Sequence, residues 1–144
     1  MNELSAKFPE LAVLAFPCNQ FGYQHHQSSA ETLPSLQHVR PGGGFEPKFE
    51  VMSKVEVNGE RQDPLFAWLK HHLPRPSAPG GGDDDDICLA SKWLPTWLPI
   101  RRSDIAWNFE KFLIGKDGVP FRRYSRHFET KDIAADIEAL IARS

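Results

Sequence analysis

Apolar residues first cluster at Leu4, Phe8 and Leu11, where Leu4 and Phe8 stand i, i+4 and read as the back half of a helix with no capping residue ahead of it. The run Leu11-Ala12-Val13-Leu14-Ala15-Phe16 is continuous, too short for an isolated helix and ended by Pro17. It predicts a strand buried on both faces, and hence a parallel sheet covered by helices. A polar stretch, Cys18-Asn19-Gln20-Phe21-Gly22-Tyr23-Gln24, follows it. Ser28-x-x-Glu31 then has the form of a capping box, and Leu33, Leu36 and Val39 share a face of the helix it opens, with Pro34 in the early turns. Pro41-Gly42-Gly43-Gly44 predicts a flexible loop, Val55 to Val57 a short strand and Asn58-Gly59 a turn. Asp63-Pro64 supplies an N-cap and a proline at the first position of a second helix, which should bury Leu65, Leu69 and Leu73.

Periodicity stops between Pro74 and Asp86, a stretch of Pro, Gly, Ser and Asp ending in Asp83 to Asp86 that reads as an exposed loop of low complexity. Consecutive aspartates lack the alternation and the glycine of a calcium loop. Trp107 to Ile114 and Val119 to Tyr124 then read as strands joined by Gly115-Lys116-Asp117-Gly118, a hairpin signal. A last helix begins near Thr130, with Ile133, Ile137, Leu140 and Ile141 on one face. This order predicts an α/β layer fold with parallel and antiparallel pairs in one sheet flanked by helices. Ligands in such sheets sit at the carboxyl ends of the parallel strands, which places Pro17 to Gln24 at the crevice.

Composition narrows the class. At 144 residues, residues 1–144 are expected to form a single domain around one core, and 40% hydrophobic with 11% aromatic residues is ample to fill it. No apolar run approaches the roughly 18–20 residues of a membrane span, so no membrane partner is expected. A formal net charge of −2 sets up no field for nucleic acid. Only Cys18 and Cys88 are present, which argues against a disulfide framework and fits a reducing compartment. The N-terminus is neither a signal nor a transit peptide.

Among the reactive residues, Cys18 follows the first strand directly, yet nothing near it in sequence supplies a base or a positive charge, and it reads as a small buried hydrophobe. His25-His26 and His71-His72 are adjacent pairs that on a helix diverge by about 100° and cannot chelate one ion, so no metal site is expected. Gly42 to Gly44 lacks the Lys-Ser/Thr of a phosphate loop. Arg40, Arg101-Arg102, and Arg122-Arg123 with Arg126 are guanidinium groups that would make an anion site if two converged. Arg122 and Arg123, as neighbours on a strand, should face opposite ways. The amides Asn19, Gln20 and Gln24, with Trp107-Asn108, are uncharged donors suited to stabilising an anion without pairing to it.

Phe16-Pro17-Cys18-Asn19-Gln20-Phe21-Gly22-x-Gln24 and Trp107-Asn108-Phe109-x-Lys111-Phe112-Leu113-Ile114 resemble the two signature segments of the glutathione peroxidases. Val39-Arg40-Pro41-Gly42-Gly43-Gly44-Phe45-Glu46-Pro47 and Phe121-Arg122-Arg123-Tyr124-Ser125-Arg126 are similar to the same family, in particular its tetrameric cytosolic and gastrointestinal members. The resemblance spans nearly the whole chain and is weakest between Pro76 and Thr96. It implies a thioredoxin-like fold and a cytoplasmic, homotetrameric selenoprotein that reduces hydrogen peroxide and organic hydroperoxides with glutathione in oxidative stress. Gln24, Trp107 and Asn108 match the residues that surround the family's selenocysteine, or cysteine, and hold the developing anion. Arg40, Arg122 and Arg123 match the arginines that bind the carboxylates of glutathione. No cofactor is implied beyond the selenocysteine and the glutathione co-substrate.

Three departures qualify what the resemblance implies. His25 stands where the family has a glutamate, and no resolving cysteine lies between Ser28 and Val39, which points to glutathione rather than thioredoxin as reductant. The selenocysteine is absent, and Cys18 is not at the peroxidatic position. The nucleophile segment is expected upstream of Met1, the chain being read as a truncated product whose central strand is missing. It is therefore expected to be inactive and to fold poorly alone. The alternative reading is a non-catalytic binding or assembly module derived from the family.

Overall fold

Hydrogen-bonded caps and two short ladders organise the chain in the computed structural model, which describes residues 1–77 and 95–143. Asp83 to Asp86 and Cys88 lie outside the described residues. The chain divides into two compact units, one of residues 1–19 and 23–55, the other of residues 20–22 and 56–144.

In the first unit α1 (Asn2–Lys7) buries Leu4, and Phe8 beyond its end is buried as well. The Asn2 side chain ties it down by donating to the Glu46 carbonyl at 2.9 Å and accepting from the Lys48 N–H at 2.8 Å. β1 (Leu14–Ala15) pairs in parallel with β2 (Glu50–Val51), Leu14 opposite Glu50 and Ala15 opposite Val51. The N–H groups of Glu50, Met52 and Val55 donate in turn to the carbonyls of Val13, Ala15 and Pro17, at 3.2, 2.8 and 3.0 Å. The parallel pairing thus matches expectation while the second strand does not, since Val55 makes the last bond beside a strand that the pattern placed at Val55 to Val57. Leu11 to Phe16 was expected to be buried on both faces, yet Leu14 is 51% exposed and none of the six is fully buried. Among the described residues β1 has a ladder partner along one edge only, so half of its environment is not sheet.

α2 (Ser29–His38) opens on the predicted box, with the Ser28 N–H and hydroxyl both donating to Glu31 Oε2 at 2.8 Å. Its inward residue is Thr32, whereas Leu33 and Val39 are exposed. The Thr32 hydroxyl donates to the Ser28 carbonyl and meets the His25 ring, which turns that side inward and the expected Leu33–Val39 face out. The glycine triplet stops the helix. Gly42 and Gly44 donate back to the Leu36 and Gln37 carbonyls at 3.0 Å from φ of +73° and +79°. A Cβ at Gly42 would stand 3.2 Å from the Val39 carbonyl oxygen, so this segment is a closed turn rather than a loose loop.

In the second unit Asp63 caps α3 (Pro64–His72) by accepting from the Leu65 N–H at 2.9 Å. The helix buries Phe66, Leu69 and Lys70, with Leu65 and Leu73 only half-buried, a face rotated from the one the leucines predicted. β3 (Lys111–Ile114) and β4 (Pro120–Tyr124) form the expected antiparallel hairpin, with Phe112 opposite Arg123 and a turn closed by Gly118 N–H to the Gly115 carbonyl at 2.9 Å. Trp107 to Glu110 precede β3 instead of opening it. A 3-10 turn (Thr130–Ile133) leads into α4 (Ala134–Ala142), which buries Ile133 and Ile137 as predicted. Among the described residues the strands form one two-stranded ladder in each unit, in place of the single mixed sheet expected. No helix among the described residues is long and apolar enough to cross a membrane.

Candidate functional site

The first unit carries Gln24 and Arg40, the second Trp107, Asn108, Arg122 and Arg123.

Gln24 is exposed on a loop whose ends are joined by the Asn19 side chain, accepting from the His25 N–H at 2.9 Å. Tyr23 beside it adopts φ of +52°, a conformation that brings the chain round in few residues. The His25 ring nitrogen stands 3.1 Å from Thr32 Oγ1, so His25 anchors this loop to α2. Burial, then the charges of Lys54 and His26, hold the His25 pKa below its usual 6.5. Cys18 is half-buried. Arg40 is exposed just after α2, at the cis peptide bond to Pro41.

In the second unit Trp107 is half-buried, its ring tilted against buried Phe21 at 5.8 Å between centroids, with the Arg126 guanidinium 5.9 Å from its centroid. Phe21 is fixed in turn by an edge contact with Trp97 at 5.7 Å. Gln20, one of the crevice amides singled out in the sequence, is buried and serves the backbone. Its Oε1 accepts from the N–H groups of Val57 and Asn58 and its Nε2 donates to the Asn58 carbonyl.

A buried polar network lies under the backbone that carries Trp107 and Asn108. Asn58 donates to the Ile105 carbonyl and accepts from the Ile105 N–H, both at 2.9 Å. Lys70 Nζ bonds Asn58 Oδ1 at 2.9 Å and Asp104 Oδ1 at 3.1 Å. The other Asp104 oxygen accepts from the Trp97 indole at 2.9 Å and the Arg101 N–H at 2.8 Å. Burial pushes the Lys70 ammonium pKa down against the pull of Asp104. Glu110 Oε1 accepts from the Ala106 N–H and its Oε2 from Arg123 Nε, both at 2.6 Å. Phe109, 82% exposed with φ of +66°, reverses the chain so that Glu110 reaches back to Ala106. A left-handed conformation at such a residue costs about 1–2 kcal/mol, which the buried bonds on either side offset.

The two adjacent arginines diverge, as strand alternation requires. Arg123 is 1% exposed, and besides Glu110 it donates to the carbonyls of Leu73, Pro74, Ser103 and Asp104. Arg122 is half-exposed, pairs with Asp136 at 2.9 Å and Ser77 at 3.0 Å, and lies over the Tyr124 ring. Asp136 also accepts from the Tyr124 hydroxyl at 2.7 Å, and burial, followed by this bond, drives that phenol's pKa upward. Among the described residues no cluster of His, Cys, Asp and Glu could hold a metal ion. Asn58, Lys70, Asp104 and Glu110 are the residues that sequence reasoning missed. Their one signal was Lys70 on the apolar side of a helix that also carries Phe66 and Leu69.

Chemically, an indole N–H and a neighbouring amide are uncharged donors, of the kind that can stabilise negative charge without pairing to it. The family model described as glutathione peroxidase matches residues 1–70. Glutathione peroxidase 1 of Hylobates lar is 54% identical over 99% of this chain and 70% of its own length. Glutathione peroxidase 2 of Homo sapiens is 52% identical over 98% of this chain and 72% of its own. Of solved structures, Trgpx in apo form has a TM-score of 0.59 at 28% identity over 97% of this chain, which spans 64% of that one. T. cruzi GPX1 has a TM-score of 0.57 at 26% identity, over 98% of this chain and 68% of its own. Four motifs in order, a matching fold and identity above one half along nearly the entire sequence converge: the chain belongs to the glutathione peroxidase family.

Proposed function

We propose that this chain carries the glutathione-binding and anion-stabilising groups of a glutathione peroxidase, the oxidoreductase that reduces hydrogen peroxide and organic hydroperoxides with glutathione. The observation that carries the reading is the 54% identity to glutathione peroxidase 1 over 99% of the chain. In this reading Gln24, Trp107 and Asn108 donate to the charge that develops as the peroxide O–O bond breaks, and Arg40 and Arg122 hold the carboxylates of glutathione. Both arginines are at least partly exposed, as ligand-binding guanidinium groups must be. A selenocysteine supplies the family's nucleophile. The sequence contains none, and its two cysteines are Cys18 and Cys88. The chain as it stands is therefore proposed to bind glutathione without turning over peroxide. A cytoplasmic, homotetrameric selenoprotein is the natural setting of this chemistry.

The test measures glutathione-dependent consumption of hydrogen peroxide, together with calorimetric titration by glutathione, on the 144-residue chain. The expected result is no turnover, and glutathione binding that Arg40→Ala weakens about tenfold through loss of a charge-assisted bond. Turnover that survives joint replacement of Cys18 and Cys88 by serine would overturn the nucleophile assignment. An absence of glutathione binding would favour a non-catalytic assembly module instead.

A further inference from the structure

We infer that Arg123, through its buried pair with Glu110, is a positioning residue for the Trp107–Asn108 segment rather than a ligand for glutathione. The inference rests on the reading of Trp107 and Asn108 as anion-stabilising donors.

Arg123 is 1% exposed and its guanidinium donates to five oxygens of its own unit, so a carboxylate arriving from solvent would have to displace protein acceptors in a dry site. Two of the five are the Leu73 and Pro74 carbonyls just after α3, and the other three border the Trp107–Asn108 segment. The carbonyls of Ser103 and Asp104 lie just before Trp107, and Glu110 lies just after Asn108. Glu110 passes the restraint on, because its second oxygen holds the Ala106 N–H, one residue from the indole. The segment is thus gripped at both ends by one cation and one carboxylate. Asn58 grips Ile105 between those points, and Phe21 seats the ring itself. Arg122, on the other face of β4, shares none of these partners and contacts Asp136 and Ser77.

The test compares Arg123→Lys, Glu110→Gln and Arg122→Ala in the isotope-labelled chain, reading amide exchange, the Trp107 indole resonance (assigned with Trp107→Phe) and glutathione affinity. For Arg123→Lys and Glu110→Gln, exchange at Ala106, Trp107 and Asn108 should quicken by about tenfold or more while that of α4 stays within about twofold. The indole resonance should shift in the folded protein. Glutathione affinity should stay within about twofold for both variants, and fall about tenfold for Arg122→Ala. Unchanged exchange and indole signal, or a tenfold loss of glutathione affinity in Arg123→Lys, would overturn the inference. So would global unfolding of both pair variants, since the pair would then hold the whole unit and not the segment. Failure of the wild-type chain to bind glutathione would count against the proposed function alone, because exchange and the indole report the clamp independently of any ligand.

Discussion

His25 illustrates how a histidine on a loop acquires a physical role from its surroundings. Its ring meets Thr32, and burial followed by the Lys54 and His26 charges keeps its pKa under 6.5. Between that lowered midpoint and 6.5 the unfolded chain binds more protons than the folded one. Its contribution to stability therefore rises with pH through this window, is complete above 6.5, and is lost as the pH falls through the folded midpoint. A ring-proton NMR titration should place the midpoint below 6.5, and urea melts of His25→Gln should lack the corresponding pH-dependent part. A midpoint at or above 6.5 would remove the argument. Lys70 makes the complementary point. A lysine is normally a solvated residue, and its 4% exposure follows from Asn58 and Asp104, residues 12 and 34 positions away, being folded against it. Local sequence contains no trace of either partner.

At the scale of elements, the signals that came true are those written in adjacent residues. The Ser28–Glu31 box, the Asp63–Pro64 start and the Gly115–Gly118 turn all depend on bonds spanning a few positions. Asp63→Ala should cost about 1 kcal/mol, since it leaves the Leu65 N–H without its cap while the proline at the first helical position is retained. Chemical denaturation of the variant checks this, with no measurable change counting against the cap. The signals that misled concern which face an element buries. α2 carries leucines at helical spacing yet hides Thr32, and α3 hides Phe66 and Lys70 in place of Leu65 and Leu73. Periodicity states that a face exists, whereas the partner that covers it decides which one it is.

For the whole molecule, the ladder around β1 governs behaviour in solution. β1 has one partner, β2, among the described residues, and Leu14 is half exposed. The open edge of β1 is not buried, and an accessible strand edge with unpaired N–H and C=O groups is a template for pairing with another chain. The chain is accordingly expected to melt broadly and to associate as its concentration rises, by pairing β1 with a strand of another molecule. Thermal melts and light scattering over a concentration series check this, and a sharp, concentration-independent melt of a monomer would contradict it. The sequence by itself determined the family, because four motifs survive as literal strings, and it determined the hairpin, the helix starts and the divergence of Arg122 from Arg123, because those follow from backbone geometry over a few residues. Only the tertiary structure decided that Arg123 is enclosed while Arg122 is not, that Gln20 serves the backbone, and that Asn58, Lys70, Asp104 and Glu110 form buried bonds to the backbone at Val57, Arg101, Ile105 and Ala106. Such roles arise from contacts between residues far apart along the chain, and a buried charge is stabilised only by partners that folding brings to it.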